Sequence, residues 1–196
     1  MNVADAASAE PRELVTLYVP SFDTSPTAGS PTADQDVLIP MGSSVGDAAV
    51  GLVSKEGTYS VTNSLGSALA ASATFTANGS APEFGIMLTS FTDSITASTS
   101  GTSVDNSASS SSGGSWYYQI TALSAVGGNA RWVLNVQHST NDSSWTDVSS
   151  ATVTASDGIG AARTEFTGTV NRYLRQRVVL DASSGSITYA IMSNRI

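Results

Sequence analysis

From Leu69 to Ala77 the chain alternates one for one, with Leu69, Ala71, Ala73, Phe75 and Ala77 apolar and Ala70, Ser72, Thr74 and Thr76 between them. A period of two is the signature of a strand with one buried and one wet face. The same rule returns in the second half, where Trp116, Tyr118 and Ile120 share a face, as do Trp132, Leu134 and Val136, and later Ile187, Tyr189 and Ile191. The longest run, Val170 to Leu180, sets Leu174, Val178 and Leu180 against Tyr173, Arg175, Arg177 and Val179. Ser and Thr make up roughly a quarter to a third of the chain, where Leu, Ala and Gly are the usual majority. Thr suits a pleated, half-exposed surface and Ser and Gly supply turns, while the Lys, Glu and Gln of exposed helix faces are scarce. No segment reads as a helix. Asn78-Gly79 reads as a turn, and Asn141-Asp142 and Asp157-Gly158 as hairpin turns, so the pattern predicts an all-β sandwich or barrel.

With 196 residues, 40% of them apolar, the chain can bury a core in one or two domains, and the absence of cysteine excludes a disulfide scaffold. The formal net charge is -8, which disfavours nucleic-acid binding, because that affinity comes from Lys and Arg releasing counterions. One histidine (His138), one lysine (Lys55) and no cysteine leave few general bases, nucleophiles or transition-metal ligands, so the chain reads as non-enzymatic. Met1 to Leu14 carries Asp5, Glu10 and Glu13 and has no apolar core of a secretory signal, and no membrane span is expected.

Two low-complexity stretches, Ser21 to Asp36 with Pro26 and Pro31, and Ser98 to Ser115 with Gly101, Gly113 and Gly114, read as loops. They suggest a β region at 1–97, a Ser/Gly-rich loop at 98–115 and a C-terminal β-sandwich at 116–196, or one continuous domain. Charge divides at the second loop: residues 1–110 hold eleven acids and two bases, residues 111–196 five acids and six bases.

Few side chains suggest chemistry. His138 continues the apolar face of Trp132, Leu134 and Val136, so a buried or half-buried, hydrogen-bonded imidazole is its simplest account. Asp34 with Asp36, or Asn141 with Asp142 and Asp147, could offer oxygen ligands to a hard cation, but the spacing matches no EF-hand loop and the same residues make ordinary loops and turns. Trp116, Tyr117, Tyr118, Trp132 and Trp145 could stack on sugar rings; most lie on core-facing positions, and Tyr117 alone points the other way. Arg172, Arg175 and Arg177 form the one cationic cluster and are the candidate subunit-interface residues, suited to carboxylates of this chain or of a neighbouring acidic half.

Three runs, Met41 to Tyr59 (MGSSVGDAAVGLVSKEGTY), Arg131 to Val148 (RWVLNVQHSTNDSSWTDV) and Gly168 to Arg175 (GTVNRYLR), resemble the major tail tube proteins of long-tailed bacteriophages. The opening MNVADAAS resembles tail proteins of actinobacterial phages, and Leu69 to Met87 and Gly101 to Ser115 resemble the strand-turn-strand and the Gly/Ser-rich loop of the same family. The resemblance implies a tail-tube-like β-sandwich or β-barrel with a C-terminal jelly-roll or Ig-like portion. It also implies a virion subunit, made in the host cytoplasm, that stacks in rings, usually hexameric, with other tail proteins at the tube ends. Viral DNA would pass through without specific binding, and no cofactor, metal or membrane would be required. Strings like Gln137-His138-Ser139 to Trp145 also recur in capsid decoration proteins, so a decoration or cement protein is one alternative. A carbohydrate-binding adhesion module using Tyr117, Trp145 and the Asn141 to Asp147 turn is another.

Overall fold

The fold was obtained as a computed structural model that describes residues 35–62, 70–77, 81–90, 94–157 and 160–196, the side chains of 35–37, 54–62 and 70–77 excepted. The Asn78-Gly79 turn, Leu69, Asp34, Gly158 and nearly all of the first low-complexity stretch lie outside these residues. Among the described residues the chain is all-β: β1 (Gln35–Pro40), β2 (Ala48–Thr62), β3 (Ala70–Ala77), β4 (Glu83–Met87), β5 (Ser94–Ile95), β6 (Thr99–Ser100), β7 (Val104–Asp105), β8 (Gly114–Val126), β9 (Arg131–Ser139), β10 (Thr146–Thr154), β11 (Gly160–Phe166), β12 (Tyr173–Asp181) and β13 (Ser184–Arg195). No helix here is long and apolar enough to cross a membrane.

The strands form two antiparallel sheets. The first runs β1-β2-β4-β13-β8-β11, with β3 also on β2 and β5 on β13; the second runs β10-β9-β12-β6, with β7 also on β12. From β4 onward the chain passes between the sheets so that β4/β5-β13-β8-β11 faces β6/β7-β12-β9-β10, which is the strand order of a jelly roll. The period-two faces explain its core. Trp116, Ile120, Ile187, Tyr189 and Ile191 of the first sheet meet Trp132, Leu134, Val136, Leu174 and Val178 of the second, all buried. Each such side chain contributes about 1.5–3 kcal/mol of transfer free energy.

The first sheet also curls, bringing β1 alongside β11. Inside the curl lies a second cluster of Leu38, Ala49, Met87, Tyr117, Ala190 and Met192. β8 and β13 are therefore buried on both faces over part of their length, one face toward the sandwich and the other toward the curl. That is why Tyr117, on the face opposite Trp116 and Ile120, is as buried as they are.

Two connections depart from the expectations. The Ser/Gly-rich stretch is held against the sandwich: β6 pairs Thr99 with Val178 and Ser100 with Arg177, β7 pairs Val104 with Leu174 and Asp105 with Tyr173, and Ser110 bridges Val170. Backbone groups at the edge of β12 need partners, and small polar residues supply them while blunting the edge. The sandwich thus draws strands from before residue 98 and from the 98–115 stretch, so the sequence divisions at 98 and 116 do not divide the sheets. The Asn141-Asp142 turn does join a hairpin, β9 to β10, with Asp142 at φ 59°. The Asp157 turn does not, because β10 and β11 lie in different sheets. There Asp157 Oδ2 accepts the Thr154 N–H at 2.6 Å, capping a crossover between sheets.

Candidate assembly surface

The sequence-predicted arginines lie on or beside β12, whose alternation buries Leu174, Gln176 and Val178 and turns Tyr173, Arg175 and Arg177 outward. On that outer face, register sets Arg175 opposite Gln137 of β9, and Gln137 opposite Asp147 of β10. Arg175 Nε donates to Gln137 Oε1 at 2.9 Å, and Gln137 Nε2 donates to Asp147 Oδ1 at 2.6 Å. The amide thus uses both ends to link a cation to a carboxylate across three strands. The Arg175 guanidinium also lies 4.2 Å from the Trp145 ring centroid, a cation–π stack. Burial, then the neighbouring Arg177 charge, holds its pKa below the ordinary guanidinium value, with Asp142 opposing the shift; it remains a cation.

The three arginines do not act as one cluster. Arg172 precedes the strand and closes a two-pronged ion pair with Asp105, Nε to Oδ1 at 2.6 Å and Nη2 to Oδ2 at 2.5 Å, while stacking 5.1 Å from Tyr173. Hydrogen bonds from Arg172, then from the Ser107 N–H, bring the exposed Asp105 carboxyl down to about 2. Arg177 sits opposite Asn135, exposed, with its carbonyl accepting from Asn135 Nδ2, and its guanidinium has no hydrogen-bond or ion-pair partner among the described residues. In a chain of net charge -8, this leaves, among the described residues, an uncommitted cation on a sheet face.

The other candidates resolve differently. Trp116, Tyr117 and Trp132 are fully buried, which removes them from any sugar platform. The Trp116 indole N–H donates to Ser149 Oγ and the Trp132 indole N–H to the Ser124 carbonyl, both at 3.0 Å. Tyr118 tilts against Trp116 at the core margin, and Trp145 lies beneath Arg175. Asn141 Oδ1 is occupied by its own turn, accepting from the Ser143 and Ser144 N–H groups and from Ser139 Oγ. Among the described residues no three His, Cys, Asp or Glu side chains are grouped to hold a metal ion. The half-buried His138 imidazole accepts the Asn171 N–H at Nδ1, 3.1 Å away, and burial lowers its pKa.

Sequence reasoning missed a polar network inside the curl. Glu83 of β4 reaches Arg163 of β11 past β13 and β8, with Arg163 Nη2 donating to Glu83 Oε1 at 2.5 Å and Nε to Oε2 at 3.2 Å. Ser115 Oγ also donates to Glu83, and Arg163 Nη1 donates to Glu165 at 2.5 Å. Burial raises the Glu83 pKa, but the bonds from Arg163 and Ser115 outweigh it and leave the carboxyl below its ordinary value. The Arg163 guanidinium lies 5.8 Å from the Tyr117 ring centroid, and burial with the adjacent Glu83 charge pushes the phenol pKa up. Eighty residues separate Glu83 from Arg163, so no local pattern pairs them. Their one signal is being charged within strands that otherwise carry few charges.

Comparison with known proteins adds little to this geometry. No protein-family model and no curated protein matches the chain. Among solved structures it is similar to a crystal structure of PirA, at a TM-score of 0.32 and 16% identity, over 54% of this chain and 95% of that one.

Proposed function

We propose that the protein is a structural subunit of a phage tail tube that assembles through its sheet edges into stacked rings, hexameric in the family it resembles. The observation that carries the reading is the β2–β3 arm. β2 is 15 residues long, about 50 Å of strand. Ser54 pairs with Gln35 of β1 on one side and Ala77 of β3 on the other. Beyond it, the 55–62 segment pairs only with β3 among the described residues. A two-stranded ribbon is marginal by itself in water, and free strand edges template pairing with another chain. Strand addition from a neighbouring copy, repeated around a ring, would satisfy those edges and close a barrel.

Charge supports the same reading. An acid-rich first 110 residues and an Arg-bearing remainder would supply the opposite charges that two unlike surfaces of a head-to-tail contact need, with Arg177 available on the second. Six copies would carry roughly 48 net negative charges, a field that keeps DNA from adhering in transit. A second reading, capsid decoration, is favoured by the jelly-roll order itself, which viral capsid domains share. Light scattering over a concentration series separates the two. A tube subunit gives a mass that climbs to rings and beyond; a monomer or trimer of constant mass contradicts it and favours decoration.

A further inference from the structure

We propose that the outer face of β1, β2 and β4 is a docking surface for this chain's own segment Leu14–Val19, folded back over the strands that follow it. Register assigns the two faces of this part of the sheet. Leu38, Gly51 and Glu83 form one row, directed into the curl toward Tyr117 and Arg163. The adjacent row, Ile39, Val50 and Phe84, therefore faces outward. Met41 continues it, its N–H bonded to the Ala48 carbonyl at 2.8 Å. Phe84 is 70% exposed and Met41 62%, and Ile39, Val50 and Phe84 belong to neither core cluster.

The patch exists because the second sheet stops short of it. Ile86, two residues from Phe84 on the same face, packs against the sandwich core and marks its rim. Leu52, on the same face two residues beyond Val50, is 6% exposed and belongs to neither cluster. The outward row, exposed at Met41 and Phe84 and half-buried at Ile39 and Val50, is apolar and uncharged, and its occupant must match it.

Leu14–Val19 (LVTLYV) is the most apolar stretch outside the described residues, it carries no charge, and Val15, Leu17 and Val19 recur with period two. The fifteen residues from Pro20 to Asp34 join it to β1 and span up to about 50 Å, far more than the distance back to Ile39 and Met41 on that strand. A tether this short holds the segment at millimolar effective concentration, which favours the chain's own segment over a second copy.

The absence of cysteine makes crosslinking a clean test. In the full-length chain at micromolar concentration, Leu17→Cys combined with Phe84→Cys is expected to oxidise mainly to an intrachain disulfide, since the bond forms only when the two Cα atoms approach to about 4.4–6.8 Å. A control pairing Thr27→Cys with Phe84→Cys is expected to give at least tenfold less. Interchain species alone, no bond, or equal yields from both pairs would overturn the proposal. Leu17→Asp provides a check without oxidation: fluorescence of a dye that binds apolar surface should rise at least threefold with circular dichroism unchanged. An unchanged dye signal would also overturn it.

Discussion

Gly51 sets how closely the curled sheet can pack on Tyr117. A Cβ at this position would overlap the Tyr117 ring edge, and that ring is fixed between β2 and the buried strand β8. Gly51→Ala is therefore expected to destabilise the protein by about 1–3 kcal/mol, as overpacked cores do, measured as a lower denaturant midpoint. The Glu83–Arg163 pair in the same interior sets a pH dependence. Glu83 has a folded-state pKa below its unfolded value, so its contribution is full above the ordinary carboxylate range and is lost as pH falls through the depressed value. Glu83→Gln should cost about 1–2 kcal/mol at pH 7 and flatten the acid limb of the stability profile. An acid limb identical to that of the wild type would show that Glu83 does not set it.

At the scale of strands, the legible parts were those written in local alternation. Trp132, Leu134 and Val136, and Leu174 with Val178, face the core as their spacing predicts, and the Arg175/Arg177 face is outward. The illegible parts depend on what lies across a sheet. Alternation says that Tyr117 opposes Trp116, but only the curl that brings Leu38 and Gly51 over it makes that second face buried. Likewise Thr99–Ser100 and Val104–Asp105 are strands because β12 offers an edge, not because their sequence demands it. The arginine cluster was legible as a cluster, but not its division into an ion-paired Arg172, a stacked Arg175 and an uncommitted Arg177. That division predicts unequal mutants. Arg177→Glu should change stability by less than about 0.5 kcal/mol, as exposed sites do, and suppress assembly seen by light scattering. Arg175→Glu should also lose the Trp145 stack and the Gln137 link and cost about 1–2 kcal/mol. An Arg177→Glu protein that unfolds by circular dichroism would contradict the interface role.

At the scale of the whole molecule, the chain combines a jelly-roll sandwich with a sheet that extends beyond it. The sandwich supplies its own core, whereas the β2–β3 arm leaves strand edges unpaired among the described residues. In the proposed tube, a neighbouring copy would complete that sheet. The most direct test is negative-stain electron microscopy of the purified protein at rising concentration. Rings with a central channel, stacking into tubes as concentration increases, are the predicted result. Particles that remain single compact domains or trimers at the highest concentration would contradict the tail tube account.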